Sequence, residues 1–389
     1  MILSSLFLTL CLPAAQETET PRTASAIPLV EQKVDTSDEA VIGAITGGLA
    51  YLLEHQNDDG SWGSTKNATF TSGFANPATY KCWQVGTTAL ATLATMKLGK
   101  SPEAEAATDR GLDFLMANAN LKRPADWDVD NVWGLTYGLD TLSKAIAHER
   151  FAGTEREAEL RVAGQTMVDG LLHYASPRGG WGYYSSARAL WQPEWATSFT
   201  TAVGLLALVE ARAVGLDVPE KLFDAATRSV ERCRLPNGAY SYSVNEVPPR
   251  MGLESINQVK GSLGRIQVCN LALHRAGGKL PEGALQDGLD LFFRYHPFLD
   301  AGRNKPIPHE AYYAVAAYFY LFGHYYAAAV IDTLPEELEK RYEQELRHHI
   351  MKCRQKDGAF WDFYIASMTK SYGTAFSIIS LARTVEVRD

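Results

Sequence analysis

A chain of 389 residues can bury a large core, and its 46% hydrophobic and 21% charged residues are ordinary for a soluble globular protein. The formal net charge of −8 argues against nucleic acid or an anionic membrane surface as the main partner. After the N-terminal segment no run is long and apolar enough to span a bilayer, so the mature chain is not expected to be transmembrane.

The N-terminal segment has the features of an export signal. Residues 2–12 form a short apolar run, which Pro13-Ala14-Ala15 and then a polar stretch follow. No Lys or Arg precedes the run, but the small residues after it suit cleavage near Ala14 or Ala15. We predict a signal peptide over residues 1–15 and a flexible, polar leader over residues 16–37. The protein is therefore expected in the periplasm, in the cell envelope or outside the cell.

A short Gly-aromatic motif recurs along the chain. Its fullest copy is Gln56-Asn57-Asp58-Asp59-Gly60-Ser61-Trp62-Gly63, and weaker copies surround Gly180, Gly238 and Gly358. The four central glycines are separated by 120, 58 and 120 residues, which indicates a period of about 60 and six repeats. In each copy the polar residues end a helix, the glycine permits a positive φ, and the aromatic ring can pack back over the turn. We therefore interpret the motif as a structural device.

Between the motifs, apolar spacing and Pro or Gly punctuation predict paired helices. The first helix of a pair carries charges on one face, whereas the second is nearly uncharged, which places the second helix inside. Strand-type alternation appears nowhere at length. The predicted pairs are Glu39 to His55 with Val85 to Leu98, Pro102 to Ala117 with Asn131 to Glu149, Glu155 to Ala175 with Thr197 to Ala213, Pro219 to Arg234 with Ser262 to Ala276, Glu282 to Tyr295 with His309 to Ile331, and Pro335 to Arg354 with Tyr372 to Val385.

Six outer and six inner helices predict an all-α fold, an α/α toroid of the (α/α)6 type over residues 38–389, whose inner ring lines a central funnel. The long connections all run from an outer helix to the next inner helix. They must therefore gather at one end of the barrel, where the inner helices also begin. This loop end is the expected place of function.

The motifs resemble the repeat of squalene/hopene cyclases and protein prenyltransferase β subunits. Gln56 to Trp62 is similar to the form Gln-x-x-x-Gly-Ser-Trp, and residues 179–181 and 355–361 are similar to its Gly-Gly-aromatic relatives. Inner helices that begin near Gly86 and Tyr372 look like those of the family as well. The resemblance covers about residues 40–385 and implies a divergent, exported, single-domain toroid of this repeat type.

The zinc site of the prenyltransferases has no counterpart in the sequence. The stretch that resembles the family's Asp-x-Tyr-His-Thr reads Lys370-Ser371-Tyr372-Gly373-Thr374, with Gly373 in the place of the His, and no Asp-x-Cys pair exists. Zinc-dependent prenyl transfer is thereby disfavoured. We predict no metal ligands and no cofactor. The four cysteines after the signal have no Cys-x-x-Cys spacing and are predicted to be buried free thiols; they are Cys82, Cys233, Cys269 and Cys353.

One stretch is similar to the acid motif of the triterpene cyclases. Asp128-Val129-Asp130-Asn131 resembles Asp-x-Asp-Asp, and the resemblance implies Asp130 as the general acid of a terpenoid cyclase. Asn131 replaces the last Asp of the motif. Those cyclases usually carry a second helical domain that completes the pocket, so one toroid is short of that requirement. Asp130 and Asn131 have a plain alternative role as the N-cap of the inner helix that starts near Val132.

The heads of the inner helices also carry aromatic and polar side chains that could converge on the funnel. They predict an apolar or isoprenoid ligand, an extended polymer or a protein segment in the funnel, with catalytic activity left open. A polysaccharide lyase is a further alternative, since His309, Tyr313, Arg265 and Asn131 supply the residue types for proton abstraction beside a carboxylate. The candidate binding residues are Trp133, Tyr137, Trp195, Arg265, His309, Tyr313, Tyr320 and Tyr372.

Overall fold

Helices supply the regular structure of the computed structural model, which describes residues 34–64, 77–122, 131–182, 196–244, 253–364 and 367–385. Within these ranges β pairing occurs as isolated bridges. The helices are α1 (Asp38–Glu54), α2 (Pro77–Leu98), α3 (Pro102–Ala117), α4 (Asn131–Ile146), α5 (Glu155–Tyr174), α6 (Ser198–Ala213), α7 (Glu220–Cys233), α8 (Leu263–Ala276), α9 (Ala284–Arg294), α10 (Pro297–Gly302), α11 (Phe319–Ile331), α12 (Glu336–Met351) and α13 (Ser367–Ala382).

Six of these helices close into a ring. Each of α2, α4, α6, α8 and α11 packs against the next inner helix in the series, and α13 packs against α2. The other long helices form the outer layer, and each packs mainly on the inner helix that precedes it, with α1 resting on α13. The predicted all-α toroid is confirmed. The inner helices α6 and α8 are buried around most of their surface, whereas the outer helix α5 buries one face only.

The Gly-aromatic motif ties each loop to the helices on both sides of it. The indole Nε1 of Trp62 donates to the carbonyl of Leu52 at the end of α1, and the indole of Trp181 repeats this bond at the end of α5. The backbone N–H of Trp62 donates to the Thr88 hydroxyl of the following inner helix at 3.0 Å. The N–H groups of Trp181 and Phe360 make the same bond to a threonine of α6 and of α13. These contacts agree with the structural interpretation of the motif.

The described cysteines and most helix ends follow the sequence, but some boundaries differ. Cys82, Cys233, Cys269 and Cys353 are buried free thiols, as predicted. Helix α2 begins at Pro77, eight residues before the predicted start, and α13 spans Ser367–Ala382. Residues 296–308 lie between two predicted helices and are expected to form a loop, yet Pro297–Gly302 forms α10, with Pro297 at the first helical position.

The predicted inner helix from His309 to Ile331 is wrong over residues 309–318, which precede α11. His309, Tyr313 and Ala314 have φ values of 64°, 58° and 53°, and α11 begins only at Phe319. The ring Nδ1 of His309 bonds to the carbonyl of Ala314 at 2.7 Å, so a side chain provides the partner that a helical N–H would have supplied. Tyr313 and Tyr320 therefore do not share a helical face.

Arg347 of α12 joins the two ends of the described chain. Its guanidinium donates to the Asp38 carboxylate at 2.6 Å, to the Thr36 carbonyl at 3.2 Å, and to both the hydroxyl and the carbonyl of Thr384. The side chain of Arg347 is 7% exposed. The ring is thus closed by a charged hydrogen-bond network as well as by helix packing. None of the described helices combines the length and the apolar character that a bilayer crossing requires.

Candidate functional site

Aromatic rings fill the axis of the toroid near the start of the inner helices. Trp133 of α4, Phe199 of α6 and Phe319 of α11 each lie in the first turn of their helix. The ring centroid of Phe199 is 5.9 Å from that of Trp133 and 5.1 Å from that of Phe319. Because the first turns of α4, α6 and α11 meet, these three inner helices begin at one common end, as the sequence predicts.

One layer deeper, side chains meet across the axis. The hydroxyl oxygens of Tyr137 on α4 and Tyr326 on α11 are 3.5 Å apart, although these helices are on opposite sides of the ring. Phe376 of α13 packs against Tyr137 and Tyr325, at 5.9 Å and 4.7 Å between ring centroids. All four side chains are less than 10% exposed. We name this group the aromatic plug. In the described part of the axis, the plug leaves space for a ligand only above it, on the side where the inner helices begin.

Charged groups lie below the plug, toward the ends of the inner helices. Lys144 pairs with Asp140 one turn earlier on α4, with an N–O distance of 2.6 Å. Burial works against the Lys144 ammonium, but the Asp140 carboxylate outweighs burial and raises the pKa of Lys144. Lys144 therefore keeps its charge beside Asp140, toward the end of α4.

Above the plug, the mouth contains a hydrogen-bonded tyrosine and histidine. The Tyr318 hydroxyl lies 3.1 Å from Nε2 of His309, whose Nδ1 faces the carbonyl of Ala314. Since a carbonyl can only accept, Nδ1 carries the proton, and Nε2 accepts from the Tyr318 hydroxyl. Burial, opposed by the Ala314 bond, lowers the pKa of His309, which favours this neutral form. Tyr242 packs edge-on against the His309 ring at 5.6 Å.

Arg265 supports the mouth from within the wall. Its side chain is fully buried, and it donates to the backbone carbonyls of Gly261, Tyr240 and Ile256. The guanidinium also lies over the ring of Tyr242, 5.3 Å from its centroid. Arg265 thus holds the loop after α7 and the ring of Tyr242 in place. Because its side chain is fully buried, it cannot contact a ligand in the mouth.

Asp362 is a buried carboxyl beside the mouth. Its Oδ2 accepts the backbone N–H of Leu321 at 2.8 Å, in the first turn of α11, while its Oδ1 is buried without a hydrogen-bond partner. Burial raises the pKa of Asp362 to about 7 against the opposing effect of the Leu321 bond. Asp362 also contributes, after burial, to raising the pKa of the Tyr372 phenol. A carboxyl group poised near neutral pH therefore lies next to a predicted binding residue.

The pKa of Asp362 gives a testable dependence of stability on pH. The unfolded chain releases this proton near pH 4, whereas the folded protein holds it to about pH 7, so rising pH destabilises the fold over that range. Between pH 5 and pH 8, Asp362 should lower the free energy of unfolding by about 2–3 kcal/mol. We expect the Asp362→Asn variant to lack this decrease. Denaturant titration at the two pH values measures it. Asp357→Asn is the control, since a carboxylate of lowered pKa is ionised throughout this range; equal slopes for all three proteins would contradict the prediction.

The structure brings together four of the predicted binding residues. Trp133 and Tyr137 lie on the axis, Tyr372 packs beside the plug against Phe376 at 5.8 Å, and His309 lies at the mouth. Arg265 adjoins them from within the wall. Trp195 and Asp130 lie outside the described residues, so their roles stay predictions.

Two predicted binding residues lie elsewhere. The Tyr320 hydroxyl faces the carboxylate of Asp300 at 3.1 Å and the carbonyl of His349 on α12, so it points toward the outer layer. The Tyr313 ring packs against Phe298 at 5.0 Å, beside the side chain of Lys260, rather than against Tyr320. Tyr313, Tyr320 and Arg265, three of the predicted binding residues, therefore do not form one lining of the funnel. The cause is the loop conformation before α11.

Sequence reasoning missed Asp362 and Tyr242. Counted from the motif glycines, both occupy the same position of the repeat, four residues after Gly358 and Gly238 respectively. An acid at a position that is aromatic in another copy of the motif indicates an unusual residue. The burial of Asp362 could not be predicted, because it arises from contacts with α11, which is distant in the sequence.

A cleft of about 330 Å³ lies outside the ring, between the motif around Gly238 and α9. A β-carbon at Gly60 would collide with the Arg110 carbonyl of the next outer helix, and one at Gly358 would lie 2.7 Å from the Gly47 carbonyl. At Gly238 the nearest atom would be a methyl group of Leu291 at 3.7 Å. The cleft exists because the motif around Gly238 does not close against its neighbouring helix, α9.

Comparison with known protein families and with curated proteins gives no match. Solved structures are similar in fold. An inactive variant of the α-1,6-mannanase GH76A of Salegentibacter sp. HEL1_6 in complex with α-1,6-mannotetrose has a TM-score of 0.60 at 8% identity, over 88% of this chain and 99% of that one. The type II terpene cyclase MstE from Scytonema has a TM-score of 0.50 at 13% identity, over 88% and 96%. A D-mannose isomerase has a TM-score of 0.58 at 12% identity, over 90% and 99%.

At these identities the similarity shows the fold alone. The chain is an α/α toroid, and it is similar to these proteins in fold. The narrower relationship to the prenyltransferase and squalene cyclase repeats, which the motifs suggested, stays a proposal.

Proposed function

We propose that this toroid binds an extended polymeric ligand, an oligosaccharide in the first instance, across the mouth of its funnel. The observation that carries the proposal is the aromatic plug. Tyr137 and Tyr326 meet across the axis directly below the mouth, so the described axis offers a shallow floor rather than a deep chamber. A chain that lies across such a floor can still make stacking contacts along its length.

The walls of the mouth suit this kind of ligand. Trp83 and Tyr318 are half-buried and pack beside a small apolar cluster that contains Phe363, while Trp133 is half-buried on the floor. Half-buried rings that keep one face or edge accessible are the usual contacts for sugar rings, and nearby hydroxyl and imidazole groups provide hydrogen bonds. The mannanase of similar fold is described in complex with a mannan oligosaccharide, which supports the choice of a carbohydrate as the first ligand to test.

Two enzymatic alternatives are kept as outcomes of the same experiment. The hydrogen bond from Tyr318 to neutral His309 favours lyase-type proton transfer over other chemistry at the mouth, because it aligns a phenol with a base. A terpenoid cyclase that uses Asp130 would need a chamber for a folded polyprene, and the plug occupies that space in the described residues. Export through residues 1–15 accords with a polymer met outside the cytoplasm and is part of the proposal.

Binding is tested on the mature chain with neutral α-1,6-manno-oligosaccharides, uronate oligosaccharides and a polyprenyl alcohol. We expect an oligosaccharide to bind and Trp133→Ala to weaken it roughly tenfold or more, since a central aromatic contact is lost. Calorimetry and ligand-observed NMR measure the dissociation constants.

Phe293→Ala is the matched control. Phe293 is also a half-buried aromatic residue, but it stacks on Tyr342 in the outer layer, away from the mouth. Its loss should leave ligand affinity unchanged. Binding of the polyprenyl alcohol alone would replace the proposal by the terpenoid alternative, and an unsaturated product from a uronate would establish lyase activity. Failure of every ligand to bind would overturn the proposal.

A further inference from the structure

Three histidines and an aspartate meet between the fifth and sixth repeats, away from the funnel. His296 lies between α9 and α10, Asp300 on α10, His324 on α11 and His349 on α12. His296, His324 and His349 are all less than 10% exposed. The sequence places His349 on an outer helix with a charged face, which predicts a solvated side chain, and its burial corrects that prediction. Nothing in the proposed function uses this cluster.

The hydrogen bonds of the cluster determine where its protons lie. Nδ1 of His324 faces the carbonyl of Tyr320 at 2.7 Å, so Nδ1 carries the proton and Nε2 of His324 is an acceptor. Nε2 of His296 lies 3.1 Å from that acceptor and must therefore donate to it. A neutral His296 then presents the bare lone pair of Nδ1 to Asp300.

The resulting contact requires a cation. Nδ1 of His296 and Oδ2 of Asp300 are 3.2 Å apart, and both are acceptors when His296 is neutral and Asp300 is ionised. Two lone pairs at this distance repel unless a proton or a metal ion lies between them. A separation of 3.2 Å is also what two ligand atoms about 2.1 Å from one metal ion would have.

The position of His349 favours a metal ion over a proton between His296 and Asp300. A ring nitrogen of His349, one of His296 and a carboxylate oxygen of Asp300 all lie within 4.8 Å of one another. Nδ1 of His349 is buried and has no hydrogen-bond partner. A proton between His296 and Asp300 would leave Nδ1 of His349 unsatisfied, whereas a metal ion would take a ring nitrogen of His349 as its third ligand.

We propose that His296, Asp300 and His349 bind a divalent first-row transition metal ion, such as Zn²⁺ or Co²⁺. Two imidazoles and one carboxylate form a donor set that these ions prefer. His324 then acts on the ligand His296, because it accepts the Nε2 proton and so fixes Nδ1 as the coordinating atom. The ligands come from both sides of the boundary between two repeats, so the ion acts as a clamp between α10 and α12.

Two positively charged side chains near Asp300 should weaken the binding of a metal ion, which gives a further prediction. Lys352 Nζ lies 3.8 Å from Oδ2 of Asp300, and Arg303 Nε lies 3.6 Å from Oδ1. The aliphatic stem of Lys352 lets its ammonium turn away when Oδ2 binds an ion, while the ring of His349, stacked 3.3 Å from that of His296, must rotate toward the ion. Lys352→Met should therefore strengthen metal binding, a result that no proton-only arrangement produces.

The full mature chain, stripped with a chelator, is titrated with Co²⁺ and Zn²⁺. We expect one ion per chain, a visible Co²⁺ absorption band and a raised melting temperature. Asp300→Asn and His349→Gln should each weaken binding by about 10–100-fold or more. His348→Gln, the adjacent residue on α12, is the matched control and should leave binding unchanged.

Circular dichroism melts of each metal-free variant separate loss of the site from loss of the fold, and Asp300→Asn retains a hydrogen-bonding side chain at a partly exposed position. Binding that survives both ligand variants would assign the ion to another site and overturn the proposal. So would the absence of binding at millimolar Co²⁺, which would leave a proton between His296 and Asp300. Weaker binding in Lys352→Met would equally contradict it.

Discussion

Replacement of Arg347 by methionine is expected to lower the free energy of unfolding by about 3 kcal/mol or more. The buried guanidinium donates to groups of the first helix and of the segment after the last helix, and methionine fills similar space without donating. The carbonyls of Thr36 and Thr384 would then lose a charged donor. Removal of one member of such a network costs more than the net value of its bonds, because the remaining groups stay desolvated. Urea titration followed by circular dichroism measures the loss.

The control for this prediction lies on the same helix. Arg341 is 65% exposed and lies 3.5 Å from Asp290. Arg341→Met is therefore the same substitution, with the same loss of charge, at an exposed position. An exposed pair of this kind contributes less than about 1 kcal/mol. Similar losses in the two variants would show that Arg347 does not close the ring.

The motif glycines should differ sharply in their tolerance of alanine. Gly60 has a φ of 82°, and a β-carbon there would collide with the backbone of Arg110 on the next outer helix. We expect Gly60→Ala to cost about 3–5 kcal/mol, since it adds displacement of α3 to the strain of a left-handed alanine. Thermal and urea unfolding of the purified variant measure this cost.

Gly238 provides the matched comparison, because it has the same place in its motif and a φ of 83°. A β-carbon there would meet only a Leu291 methyl group, at an ordinary 3.7 Å. Gly238→Ala should therefore cost about 1–2 kcal/mol, the strain alone. Equal costs would mean that backbone conformation, rather than contact with the neighbouring helix, makes glycine necessary in the motif.

Much of the fold could be predicted because the information that fixes it is local. The helix over Pro102–Ala117 has Ser101 as its N-cap, Pro102 at its first position and an apolar face of ordinary period, and its bounds were predicted to the residue. The region from His309 to Tyr318 has helical apolar spacing too, but its backbone is set by a His309 side-chain bond and by positive φ values. Neither is encoded in periodicity.

The site was predicted less well for a related reason. Trp133 and Tyr137 were placed on the axis because an inner helix must direct its apolar side chains there. Asp362 and His349 acquire their burial from elements distant in the sequence, so a charged helix or a loop gives no indication of it. The pairing of His296 with His349 joins the connection before α10 to α12, and no spacing rule links these two parts of the sequence.

Closure of the ring has a consequence for how the chain can be cut and rejoined. Because Arg347 holds Thr36 and Thr384 side by side, a short linker between these positions could bridge them while new ends are opened at an exposed turn such as residues 147–154. A circular permutant made in this way would keep every helix-to-helix interface of the barrel. An open solenoid needs capping units at its ends, whereas in this closed ring every inner helix packs between two others.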